Sequence, residues 1–344
     1  MRKWNKFLFV ILFSERELII MNQKRLPILL VILLVVACGS TFVTAAFSPT
    51  PSYYRLVVIS DLHYPYKNHQ IVNPKKAAQL LAAKQQALQE INSWNDVREV
   101  VLTGDIVADC GSKKEYAAAK QFLSRLHHPL SCLVGNHDYF YGDFGPHGRM
   151  KRGSVATRRL KLKRFRRTFG CRQLYFSKLI KPYLLVYLSV DKLDTGLATE
   201  MSGSQMKWLR TLLAAKRRTP TIIFFHAPLV NTLENYNDRV NTPSRIAQPR
   251  KGIDAILQAN PQVLLWVSGH THTRADNPSY NSKINYYPGR IRRILNIHNG
   301  SWEERPICTN SFYLYQDKVV VRTYNHQTHR WIATLDRTIA APRL

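Results

Sequence analysis

Five short polar motifs lie along this chain, most of them directly after an apolar run of strand length. They are Asp61-Leu62-His63, Gly104-Asp105, Gly135-Asn136-His137-Asp138, His226 and Gly269-His270-Thr271-His272. The runs before them are Arg55 to Ser60, Glu99 to Thr103, Leu130 to Val134, Thr221 to Phe225 and Val263 to Ser268. They are rich in β-branched and aromatic residues and end at Gly, Asp, His or Pro, so each reads as a buried strand. Helical patterns lie between several of them. One opens with Asn73 as N-cap and Pro74 at the first helical position and runs to Trp94. Lys113 to Leu126 and Ser204 to Arg217 read the same way. Strands alternating with helices define an α/β fold with a largely parallel sheet. In such sheets function gathers outside the carboxyl ends of the strands. All five motifs fall there, so residues distant in sequence can meet in one cleft.

The side chains of these motifs are carboxylate, imidazole and amide, the donor set of a pair of borderline-hard metal ions. Singly, each has a plainer reading. Asp61 fits a turn, Asn136 a helix cap and His226 a loop. Two histidines flanking one residue after a buried strand, as in His270 and His272, are harder to read that way, and the five blocks in order point to one dinuclear site.

The blocks resemble the pattern of the calcineurin-like metallophosphoesterases, D-x-H, GD-x-x-D, GNH-D/E, H and GH-x-H, with Asp109 closing the second. The match spans Asp61 to His272. The resemblance implies a four-layer α/β/β/α sandwich with two mixed β-sheets over residues 55–338. Ser311 to Gln316, Lys318 to Tyr324 and Arg330 to Leu335 fit strands completing the second sheet, with a tight turn at Asp317. It also implies residue roles. Asp61, His63, Asp105 and His272 would hold one metal; Asp105, Asn136, His226 and His270 would hold the other, with Asp105 bridging. A shared carboxylate brings two ions to roughly 3.5–4 Å, and hydroxide held between them is the expected nucleophile on phosphorus. His137 resembles the family's general acid. Asp138 is expected to orient it by accepting its other ring proton, with Asp109 behind the ligands. Mn, Fe or Zn suits this donor set, carboxylate and amide leaning toward Mn or Fe.

Within the family the chain looks most like the class III cyclic-nucleotide-phosphodiesterase-like branch. Asp191 follows the apolar run Tyr183 to Val190, and Ser204-Gln205-Met206-Lys207-Trp208-Leu209 resembles that branch's S-x-x-Q-x-x-W-L helix. The implied function is hydrolysis of a phosphodiester or phosphomonoester. Nucleotides, phospholipid headgroups and wall polymers all remain open as substrates. A nuclease of the same superfamily is one alternative, because a basic surface suits nucleic acid, although no aromatic-interleaved basic groove is evident. A non-catalytic metal-binding scaffold is another, although no ligand position is lost. His69 and His147, in loops after motif strands, are further candidates to touch substrate.

Residues 1–47 read as a signal or anchor segment. Leu26 to Phe47 carries no charge, Lys24 and Arg25 precede it, and Val35-Val36-Ala37-Cys38 resembles a bacterial lipobox. Read from Met21, it is a compact lipoprotein signal, and residues 1–20 look like a start assigned too early. Three outcomes stay open: lipidation at Cys38, an uncleaved transmembrane anchor, or cleavage after Ala45 or Ala46. Each places the catalytic part on the extracytoplasmic face, because the basic residues before the apolar run stay in the cytoplasm. Residues 48–54 read as a tether. Five cysteines are few for a disulfide scaffold. Cys132 reads as a small buried hydrophobe, while one disulfide among Cys110, Cys171 and Cys308 stays open.

Charge is the second strong signal, with a formal excess of +28. An insertion at 148–172 holds eleven Lys/Arg and no Asp or Glu. Val155, Leu162, Phe165 and Phe169 recur there at near-helical spacing. The segment fits a solvated basic helix, a docking element for an anionic membrane or cell-wall polymer, or a guide for a polyanionic substrate.

Overall fold

The computed structural model describes residues 52–67, 73–143, 150–234 and 240–341. The segment containing Cys38, and with it the lipobox reading, lies outside them, as do His69 and His147. In chain order the elements are β1 (Tyr54–Ile59), α1 (Pro74–Asn92), β2 (Val97–Leu102), α2 (Lys113–Leu123), β3 (Leu130–Cys132), α3 (Asn136–Tyr139) and α4 (Val155–Phe169). They continue with β4 (Phe176–Ile180), β5 (Tyr183–Tyr187), α5 (Gly203–Ala215), β6 (Thr221–Phe224), α6 (Arg250–Ala259), β7 (Val263–Ser268), β8 (Tyr286–Tyr287) and β9 (Ile294–His298). The chain closes with β10 (Cys308–Leu314), β11 (Lys318–Asn325), β12 (Arg330–Trp331) and β13 (Arg337–Ala340).

Two mixed sheets form. One runs β12-β11-β10-β1-β2-β3, with β13 also on β11; the other runs β4-β5-β6-β7-β9-β8. In the first, β1, β2 and β3 are parallel and β10 returns antiparallel to β1. In the second, β5, β6, β7 and β9 are parallel, with β4 and β8 antiparallel at the edges. Alternation along the strands separates the two cores. On β1, Leu56 and Val58 join Val101, Phe224, Val267 and Phe312 between the sheets. Val57 and Ile59 point the other way, into a core with Leu88 and Ile91 of α1 and Phe122 of α2. Met206, Leu209 and Leu213 of α5 and Ile253 and Leu257 of α6 belong to that outer core as well. Two sheets, each buried on both faces, give the four-layer arrangement expected from the motifs.

Local chemistry sets the element starts. Asn73 accepts from the Lys75 and Lys76 amides, capping α1 behind Pro74. Ser112 and Glu115 form a reciprocal capping box on α2. One expected strand differs, one strand is new, and one open question closes. The run 330–335 holds strand only at Arg330–Trp331; a 3₁₀ turn follows, and the further pairing with β11 comes from β13. β9, a buried parallel strand beside β7, was not read from the sequence. Cys110, Cys132, Cys171 and Cys308 are all free thiols, so the disulfide left open among them does not form; Cys132 is buried as expected. Among the described residues, no helix is long and apolar enough to cross a membrane.

Candidate metal centre

The strand ends deliver the motif side chains to one point, with unusual backbone geometry. Asp61, His63, Asp105, His270 and His272 hold positive φ of 49°, 41°, 52°, 66° and 52°. Such conformations cost on the order of 1–3 kcal/mol each for residues with a Cβ, and persist only where surroundings hold them. Here the chain crossings do so. The Asp61 amide donates to the Gly104 carbonyl at 3.2 Å and the His63 amide to the Asp105 carbonyl at 2.9 Å. The His270 amide donates to Asp61 Oδ2 at 2.8 Å, and the His137 amide to Asp105 Oδ1 at 2.8 Å. The motif glycines allow these approaches. A Cβ on Gly135 would collide with the amide and carboxylate of Asp105, and one on Gly269 with Ser60 Oγ and Asp61 Oδ2.

The side chains form two groups that share Asp105. In the first, His63 Nδ1 donates to the Ala108 carbonyl at 3.2 Å, which turns its bare Nε2 inward. That nitrogen faces His272 Nε2 at 3.2 Å, Asp105 Oδ2 at 3.7 Å and Asp61 Oδ1 at 3.9 Å. His272 Nε2 is 3.3 Å from Asp61 Oδ1, a buried oxygen that accepts no hydrogen bond. In the second group, His226 Nδ1 donates to the Thr103 carbonyl at 3.0 Å and His270 Nε2 to the Ser244 carbonyl at 2.9 Å. Their remaining nitrogens, His226 Nε2 and His270 Nδ1, face each other at 3.0 Å. Asn136 Oδ1 is 3.0 Å from the same His226 nitrogen and Asp105 Oδ2 is 3.3 Å from it. Acceptors gathered this closely call for positive charge among them, supplied by a proton on His226 or by a metal ion. Asp105 Oδ2 belongs to both groups, as a bridging carboxylate must. The residues therefore fit two metal ions, and all seven expected ligands are brought together.

The electrostatics agree. His226 is pushed up to about 9: burial opposes this, but the Asp105 and Asp61 carboxylates more than offset it. The Asp105 carboxyl stays well below the usual range, with burial opposing and His226 and His137 lowering it. Burial holds His63 and His270 below the ordinary histidine value. The pocket calls for positive charge that these two rings do not carry.

The expected partnership of His137 and Asp138 is corrected. His137 Nδ1 donates to the Asp109 backbone carbonyl at 2.7 Å. The Asp138 carboxylate instead accepts from the amides of Gly135 at 2.8 Å, Asp105 at 3.0 Å, Ile106 at 2.9 Å and Val107 at 3.2 Å. Facing the start of its own short helix and the Asp105 loop, it staples two motif loops and does not reach the ring. His137 Nε2 is left for the cleft, and the ring is grouped with His63 and Asp105 within metal-ligand spacing. Burial holds it down at about 4.

Two other expectations change meaning. Ser202, not Ser204, opens the S-x-x-Q-x-x-W-L stretch and caps α5. Gln205 accepts from the Ser189 amide at 2.9 Å and donates to Asp191 Oδ1 at 2.7 Å, while Ser202 donates to both Asp191 oxygens. The pattern and Asp191 thus brace the strand end to the helix. Lys84 escaped the sequence reading. It is fully buried on α1 and donates to the carbonyls of Leu62 at 2.6 Å, His63 at 3.1 Å and Pro65 at 3.0 Å, fixing the loop that carries the first two ligands. A lysine on an amphipathic helix reads as solvated, and nothing in its spacing marks this one as different.

With the site described, its relatives can be placed. The family model of the calcineurin-like phosphoesterases matches residues 54–274. The chain belongs to that family of phosphoric ester hydrolases. It is 34% identical over 84 residues to a glycerophosphodiester phosphodiesterase, GpdQ, of Enterobacter lignolyticus; the match spans 24% of this chain and 29% of that protein's length. A dimetal phosphatase from Danio rerio superposes with a TM-score of 0.55 at 16% identity, over 84% of this chain and 99% of that one. The purple acid phosphatase from yellow lupin seeds gives 0.54 at 13% identity, over 84% of this chain and 54% of that one. These structures share the fold.

Proposed function

We propose that this chain hydrolyses a phosphodiester or phosphomonoester with two bound metal ions, Mn or Fe by preference, on the extracytoplasmic face of a membrane. The observation that carries the reading is the pair of imidazole nitrogens, His226 Nε2 and His270 Nδ1, brought to 3.0 Å of each other beside the shared carboxylate of Asp105 and the Asn136 amide oxygen. The short match to a glycerophosphodiester phosphodiesterase supports a diester.

Asp61, His63, Asp105 and His272 would hold one ion, and Asp105, Asn136, His226 and His270 the other. Bound there, the ions supply Lewis acidity toward phosphoryl oxygens and a water acidic enough to attack near neutral pH. The protein's own groups do the rest. Carbonyls of Ala108, Thr103 and Ser244 fix the ring orientation of His63, His226 and His270. The Asp109 carbonyl fixes that of His137, whose Nε2 would deliver a proton to the leaving alkoxide. That ring is neutral in the free site, and a docked phosphoryl anion beside it favours its charged form.

The test is metal loading. The purified chain supplied with Mn²⁺ should hydrolyse bis(p-nitrophenyl) phosphate, and a chelator should abolish turnover. Asp105→Asn should lose most of the activity and metal, because one carboxylate serves both positions. A variant with wild-type rate and two ions per chain would overturn the assignment.

Location and surface partner form the second part of the proposal. The exposed face of α4 carries Arg159, Lys163 and Arg167 around Leu160, which is 57% exposed. Cations around an outward leucine suit an anionic membrane or wall polymer, and a lipid at Cys38 would supply the second anchor.

A further inference from the structure

One carboxylate beside the centre belongs to none of the five motifs. Glu303 lies in the loop after β9. That loop is tied to the first ligand: Ser301 Oγ and the Trp302 amide both donate to the Asp61 carbonyl, at 3.0 and 3.1 Å. The Glu303 amide is in turn held by Ser301 Oγ at 3.0 Å. Its carboxylate is only 5% exposed. Oε1 accepts from the Lys67 backbone amide at 3.0 Å. Oε2 lies 2.9 Å from Lys67 Nζ, close enough for an ion pair but without the direction of a hydrogen bond. The same oxygen is 4.0 Å from His63 Nε2, the nitrogen around which the first metal group is built. Asp61 Oδ1 stands at 3.9 Å from that nitrogen and Asp105 Oδ2 at 3.7 Å.

We propose that Glu303 sets a third carboxylate just outside the first metal position, raising that position's affinity by its charge, with Lys67 as its balancing cation. This rests on the two-metal reading. A buried carboxylate oxygen without a directional donor is costly unless a positive charge meets it. Lys67 meets it in part, and an ion held by His63 would meet it more fully. Lys67 also fits this role: at 5% exposure it is held beside the same group by its contacts to both Glu303 oxygens. Groups just outside a metal's direct ligands change its affinity by roughly 10–100-fold.

The experiment is calorimetric titration of the full chain with Mn²⁺, read as two binding steps. Glu303→Gln keeps the acceptor for the Lys67 amide and removes only the charge. It should weaken one step by about 10–100-fold and leave the other unchanged. Lys67→Met removes the competing cation, so it should keep or tighten the same step. Thermal melting of both variants without metal reports on folding separately, and the Mn²⁺-induced rise in Tm gives a second readout of affinity. Two wild-type steps in Glu303→Gln would overturn the inference while leaving the two-metal reading intact. Equal loosening in both variants would overturn it too, since the pair would then act only as a loop tie. If the wild-type chain itself bound no Mn²⁺, the two-metal reading would be the one to fail.

Discussion

At the scale of single residues, the site depends on orientation as much as identity. His137 shows this most directly, because its ring is steered by a backbone carbonyl and not by a carboxylate. His137→Ala should therefore keep both ions while turnover falls by about 10²–10⁴ on alkoxide leaving groups of high pKa. The loss should be much smaller with p-nitrophenolate, which needs little proton help. Steady-state rates on the two substrates, with metal content by elemental analysis, check this; equal losses would remove the general-acid role. Gly135 makes a second residue-level case. Gly135→Ala forces a Cβ onto the amide and carboxylate of Asp105, so the purified variant should lose bound metal at either position. Full metal occupancy would mean that the Asp105 loop yields more readily than these crossings indicate. The seven candidate ligand positions were legible in the sequence because each comes within four residues of the end of an apolar run. The true partners of Asp138, Lys84 and Glu303 were not. Each acts on a segment remote in the chain, and a carboxylate or lysine has the same letter whether it meets water or a buried amide.

At the scale of elements, α4 is more than the basic surface helix its composition suggests. Arg158 and Lys161 are buried. Arg158 donates to the Leu193 and Thr195 carbonyls at 2.9 Å each and lies over the Phe140 ring at 4.0 Å. Lys161 Nζ donates to the Cys110 and Tyr141 carbonyls at 2.5 and 2.8 Å and pairs with Asp143 at 2.9 Å. The helix thus clamps the loop whose Asp109 carbonyl holds His137. Lys161→Met should leave two carbonyls without their donor and cost about 1–3 kcal/mol. A Tm lower by several degrees would follow, and an unchanged melting curve would show that the clamp is dispensable. The apolar period of this helix was visible in the sequence; its start at the Ser154 cap comes from the structure. Its two inward cations were not, because helical spacing places them beside Leu162 and Phe165 without revealing the carbonyls that receive them. β9 and β13 escaped for a related reason. Ile294 to His298 is a mixed apolar and polar run, and it is buried only because Asn296 donates to Ser268 Oγ and accepts from the Leu229 amide. Strands whose polar residues are satisfied by tertiary contacts carry no alternation to read.

At the scale of the whole molecule, two apolar cores fix the sheets, and among the described residues most Lys and Arg side chains stay outside them. The +28 balance then concerns partners more than folding. The proposed membrane role of α4 can be stated with its buried cations set aside, because replacing Arg158 would damage packing and confuse the result. Arg159, Lys163 and Arg167 are exposed and recur four residues apart, so they lie along one face. Each cation near an anionic surface contributes about 1 kcal/mol. Replacing all three with Gln, in protein begun at Ser48 to exclude any lipid, should weaken binding to phosphatidylserine vesicles by roughly a hundredfold at low salt. The difference should shrink as salt rises and screens the surface. Binding to neutral phosphatidylcholine vesicles should be poor before and after. Hydrolysis of bis(p-nitrophenyl) phosphate should barely change, since none of the three touches the ligand groups. Vesicle co-sedimentation and initial rates measured on the same preparations decide the matter. Unchanged sedimentation with a sharp fall in rate would move this face from the membrane to the substrate, where a polyanion would be the ligand to seek.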